Sequence, residues 1–164
     1  MTTDHSSGEH AGHGTVTGAA LNRLALSATT HCLIGCGIGE ILGLAIATAL
    51  GWGDVASIAL AVVLAFCFGY ALTLRPLLKG GVAFGAAAGL AFAADTLSIT
   101  VMEIVDNAII LLIPGAMDAG LGDWLFWASL AVALAIAFVA AYPVNRGLIA
   151  RGRGHAVVHR HHGH

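Results

Sequence analysis

The chain has 164 residues, of which 58% are hydrophobic and only 10% charged, and its mean hydropathy is +0.87. An ordinary soluble domain carries roughly 25% charged residues, so seven Lys/Arg and nine Asp/Glu cannot coat a soluble fold of this length. The formal charge of -2 excludes the basic surface that nucleic acid requires, three cysteines are too few for a disulfide framework, and an integral membrane protein of one domain remains.

The first 23 residues are polar, contain His5, His10 and His13, and are expected to form a flexible tail without a signal peptide. Residues 24–145 alternate long apolar runs with short breaks. The runs at 27–50, 55–74, 82–113 and 121–142 each approach or exceed the roughly 20 residues that cross a bilayer as a helix. The fold expected is therefore an all-α, polytopic four-helix bundle. Gly51-Trp52-Gly53, then Arg75-Pro76 to Gly80-Gly81, then Pro114-Gly115 to Gly122 form the breaks. Span three, at 82–113, is longer than a bilayer requires, which leaves a tilt, an extension or a break near Gly85 or Gly89 open. Residues 146–164 form a basic tail with His155, His159, His161, His162 and His164, a composition that collects borderline metals or simply stays solvated.

All seven basic residues fall on one side of this topology: Arg23, then Arg75 and Lys79, then Arg146, Arg151, Arg153 and Arg160. The opposite loops hold Asp54, Asp118 and Asp123, with Trp52, Trp124 and Trp127 as interfacial anchors. The positive-inside rule places both termini in the cytoplasm.

Span one carries the chemistry-bearing string His31-Cys32 to Glu40. Cys32, Cys36 and Glu40 are spaced i, i+4, i+8, so two thiols and a carboxylate share one face, with His31 about 100° round. Thiolate and imidazole suit copper or zinc; the competing reading is that the thiols are small buried hydrophobes. Cys67 in span two is expected only to pack. Span three places Asp95, Met102, Glu103 and Asp106 on one arc, followed by Asn107. Gly35, Gly39 and Gly43, and again Gly81, Gly85 and Gly89, are spaced for close helix packing, and the second set is expected on the acidic face of its span.

Glu40, Asp95, Glu103 and Asp106 are intramembrane or nearly so, and no Lys or Arg lies within any span to pair with them. A carboxylate at a helix centre costs roughly 2.5–3.5 kcal/mol. Such groups need protons, cations, water or hydroxyl partners on neighbouring helices, and by default they mark an ion or proton route.

The strings HCLIGCGIGEILG from His31, TLSITVMEIVDNAIILLIPGAMDAGLG from Thr96 and AYPVNRGLIARGRGHAVVH from Ala141 resemble a bacterial four-helix membrane family known as domain of unknown function 4396. The resemblance implies the bacterial inner membrane and a copper-handling context, with no established activity. The function expected is binding and transport of a soft or borderline cation, copper favoured over zinc. His31, Cys32, Cys36, Glu40, Met102 and Asp106 would act as ligands, with Asp95, Glu103 and Asn107 along an ion or proton pathway. The expected partners are the lipid bilayer, the metal ion and further copies of the chain, since one thin bundle has little room for a pore. No nucleotide, nucleic acid or catalytic residue set is expected. The alternatives are a thiol-redox or assembly factor, or a structural subunit of a larger complex. An i, i+4 cysteine pair on a helix holds its Cβ atoms about 5–6 Å apart, against about 3.8 Å in a disulfide, which disfavours the redox reading.

Overall fold

The computed structural model describes residues 18–151. They form four helices, α1 (Gly18–Leu50), α2 (Asp54–Lys79), α3 (Phe84–Leu112) and α4 (Trp124–Ala150), all long and apolar enough to cross a membrane. In lipid a helix satisfies its own backbone polar groups, so long apolar runs can settle only this way. The outside of the bundle is itself apolar: Val63, Phe92, Ile104, Leu112 and Val139 are all more than half exposed. Such a surface suits lipid rather than water.

Two helices run on past their expected ends. Pro76 does not stop α2, which continues to Lys79. Its last turn is held by Leu77, fully buried against Ala87 of α3, and by the Gly80 N–H donating to the Pro76 carbonyl at 3.0 Å. Likewise α4 passes through Pro143 to Ala150, because Asn145 and Ile149 are buried on its inner face, Ile149 against Ala25 and Ala28 of α1. Lost proline hydrogen bonds near a helix end are offset by tertiary contacts there. Helix α1 starts at Gly18, inside the stretch expected as tail, and Arg146 at the other terminus donates to Asn22 Oδ1 at 2.9 Å. The boundaries expected at residues 23 and 146 thus fall within helices. Helix α3 is continuous, without a break at Gly85 or Gly89. The histidines of both tails, with Arg153 and Arg160, lie outside the described residues.

The chain runs up and down around a ring, α1 against α2, α2 against α3, α3 against α4 and α4 back against α1, with α1 and α3 meeting across the diagonal. Helices α1 and α2 approach most closely along two interlocking rows of small residues. A Cβ added to Gly35 would lie 2.8 Å from Gly69 Cα, one on Gly39 2.6 Å from Ala65 Cα, and one on Gly43 2.6 Å from Ala61 Cα. The expected packing role of Gly35, Gly39 and Gly43 is therefore present, and its counterpart is the row Ala61, Ala65 and Gly69.

The second glycine set does not pack. Gly81 sits in the α2–α3 turn at φ +82°, and a Cβ added to Gly85 or Gly89 would meet nothing within 4 Å. Helix α3 instead buries the i+4 rows Ala87, Ala91, Asp95, Ile99, Glu103 and Ala94, Ser98, Met102, Asp106. Gly85 and Gly89 lie two residues out of phase with the first row, about 200° round. Neighbouring helices nest along i+4 ridges, which spiral around the helix, so an arc drawn over the whole length mistook the far side for the inner face.

Candidate functional site: a polar row on the bundle diagonal

The inner faces of α1 and α3 run side by side in the same direction, and their polar residues meet level by level. Asn145 of α4 donates its amide to Thr29 Oγ1 of α1 at 2.9 Å and to Ser98 Oγ of α3 at 2.8 Å. All three side chains are buried, and Thr29 donates onward to the Ala25 carbonyl at 2.7 Å. One amide thus ties three helices together.

One turn on, the Cys32 thiol lies 3.9 Å from Asp95 Oδ1, and Thr73 of α2 also adjoins the Asp95 carboxyl. At the next level Cys36 Sγ lies 4.0 Å from Met102 Sδ, and the same thiol adjoins Glu103. Beyond it Glu40 adjoins Asp106, with Glu103 close to both. From Thr29 to Glu40 the row covers about 16 Å of helix axis.

The arrangement is short of donors. Neither carboxyl oxygen of Glu103, neither of Asp106, nor Oε1 of Glu40 has a hydrogen-bond partner among the described residues. Glu103 is 4% exposed and Asp106 1%. Buried polar groups in native proteins are almost always satisfied, so these carboxyls require protons, water or a cation. No Lys or Arg occurs between residues 24 and 74 or between 80 and 145 to supply a counter-charge.

The expected site residues separate accordingly. Cys32, Cys36, Glu40, Asp95, Met102, Glu103 and Asp106 come together on the diagonal. His31, about 100° round from Cys32, lines a groove along α1 with Arg23, Thr30 and Ile34, and its Nε2 is buried. Asn107 borders the row, its amide donating to the Glu103 carbonyl at 2.9 Å. Cys67 is exposed on the outer face of α2 rather than packed within the bundle. Among the described residues no three His, Cys, Asp or Glu side chains converge as a metal-holding group; the neighbour of Cys36 is a thioether instead.

Thr29, Thr73, Ser98 and Asn145 were missed by sequence reasoning. Ser98 shares the i+4 row of Met102 and Asp106 and was legible on that ground. Asn145 was hidden because Pro143 placed the end of span four ahead of it. Asn145→Ala should lower stability by about 1 kcal/mol, the upper range for interhelical hydrogen bonds in membranes. Reversible unfolding in mixed micelles measures it, and an unchanged midpoint would show that the amide does not hold the basic end together.

A continuous apolar exterior around a buried polar diagonal defines a multi-pass membrane protein. Residues 21–154 match the family described as Domain of unknown function (DUF4396), and the chain belongs to that family. No curated protein and no solved structure matches it.

Proposed function

We propose that the protein is a membrane conduit for a soft monovalent cation, copper(I) in preference to zinc, with both termini at the cytoplasmic face of a bacterial inner membrane. The observation that carries this reading is the Cys36–Met102 sulfur pair, 4.0 Å apart at the bundle centre beside Glu103. Thiolate and thioether together are soft ligands that select copper(I). Zinc is bound by thiolate, imidazole and carboxylate, and the Met102 thioether is not of that kind. Ligation deprotonates the thiol, and Glu103 is the group placed to receive the proton. Asp95 with Cys32 on one side, and Glu40 with Asp106 on the other, supply the next steps along the row. The basic residues Arg23, Arg75, Lys79, Arg146 and Arg151 at one end, and Trp52, Trp124 and Trp127 at the other, support the orientation.

The redox alternative is less well supported, since Cys32 and Cys36 face different α3 partners about two turns apart. Purified protein loaded with copper(I) under reducing conditions and desalted should retain about one ion per chain. Cys36→Ser combined with Met102→Leu should reduce retention at least tenfold, while Cys67→Ser should leave it unchanged. Equal retention by the double variant would overturn the sulfur-pair reading.

A further inference from the structure

Beneath the α3–α4 loop, at the Trp-bearing end, lies a cavity of about 60 Å³ lined by side chains from all four helices and from the loop itself. A water molecule needs roughly 10–15 Å³ on this measure, so the space admits several. Its polar lining is one-sided. Ser57 donates its hydroxyl to the Gly53 carbonyl at 3.1 Å, Ser129 to the Phe126 carbonyl at 3.0 Å, and the Asn107 amide to the Glu103 carbonyl at 2.9 Å. The Ser57 and Ser129 hydroxyl donors and one of the two Asn107 N–H groups are thereby committed to backbone, and the oxygens of Ser57, Ser129 and Asn107 are left as acceptors. Glu40 adds a carboxylate whose Oε1 has no hydrogen-bond partner, and Met117 of the loop adds a thioether. Acceptor oxygens without a cationic side chain favour a positive ligand and oppose an anion.

We infer that this cavity is a vestibule that takes up a small hydrated cation from the Trp-bearing face, with Glu40 as its floor. Delivery onward from Glu40 through Asp106 and Glu103 to Cys36 rests on the conduit reading above; the vestibule itself does not.

Charge-selective thiol labelling in sealed vesicles of known orientation tests it. In a Cys67→Ser background, Ser57→Cys and Met117→Cys are treated with cationic and anionic methanethiosulfonates of similar size, with the background protein as the blank. Both introduced thiols should react from the Trp-bearing face, the cationic reagent about tenfold faster after correction for intrinsic reactivity, as expected for a focused negative potential. Adding Glu40→Gln should bring the ratio close to one. Equal rates for the two reagents, reaction only from the basic face, or no reaction at either position would overturn the vestibule. Met117→Cys, on the loop, keeps the test intact where Ser57→Cys disturbs folding. Charge-selective labelling in a protein whose Cys36→Ser/Met102→Leu variant still retains copper would remove the sulfur pair and leave the vestibule standing.

Discussion

Gly39→Ala should destabilise the protein by more than about 3 kcal/mol, and Gly39→Leu should yield no monodisperse folded protein. Overpacking a core ordinarily costs about 1–3 kcal/mol, because side chains can shift to make room. At Gly39 the added Cβ meets backbone: Ala65 Cα at 2.6 Å and the Ala61 carbonyl oxygen at 2.9 Å. Backbone cannot rotate away, so relief requires α1 and α2 to separate along their whole contact. The Gly35–Gly69 and Gly43–Ala61 approaches would then be lost together with the dispersion energy they supply. In a bilayer that packing is the principal attraction between helices. Neighbouring glycines provide the controls. Gly37→Ala meets only Leu134 Cδ1 at 3.5 Å and should be tolerated. Gly85→Ala and Gly89→Ala meet nothing within 4 Å and should stabilise α3 by up to about 1 kcal/mol through helix propensity. Unfolding midpoints in detergent report all of these. Equal effects at Gly39 and Gly89 would show that the α1–α2 interface is not as close as described.

Asp106→Asn should slow cation movement through reconstituted protein about a hundredfold while leaving copper retention at the sulfur pair largely intact, and Glu103→Gln should slow it as much but also weaken retention, because the Cys36 proton then loses its acceptor. An unaccompanied charge near the bilayer centre costs roughly 2.5–3.5 kcal/mol even on the more lenient scale. A carboxylate beside the ion removes much of that cost, and each 1.4 kcal/mol restored to the barrier is a tenfold loss of rate. The amides keep the volume and hydrogen-bonding capacity of the acids, so a purely structural role would leave flux unchanged. Flux into liposomes, compared with retention by the same purified variant, separates the two roles. Undiminished flux in both variants would remove the carboxylates from the path. The same pair of measurements on Cys36→Ser/Met102→Leu should show the opposite pattern, with retention lost first.

Much of this was legible without coordinates. Apolar runs near 20 residues with glycine and tryptophan between them can form only membrane-spanning helices, since lipid offers no partners for open backbone. The one-sided basic residues and the Cys32–Cys36–Glu40 face needed only the helical repeat. The intramembrane acids stood out because no Lys or Arg accompanies them. The errors were equally physical. Spans two and four were expected to end at residues 74 and 142, yet Leu77 and Asn145 hold the following turns in place by contacts to other helices. Gly85 and Gly89 read as an interface because spacing alone does not say which of several i+4 rows a neighbour will nest against.

The sequence by itself determined the class, the number of spans, the asymmetry of the two ends and the residues able to carry charge inside the membrane. These follow from hydropathy and periodicity, which are local properties of the chain. Only the tertiary structure decided that His31 lines a groove along α1 with Arg23, that Cys36 meets both Met102 and Glu103, and that Asn145 ties α4 to α1 and α3. Such pairings depend on how four spiralling ridges settle against one another, and that choice is set by packing between residues far apart in the chain.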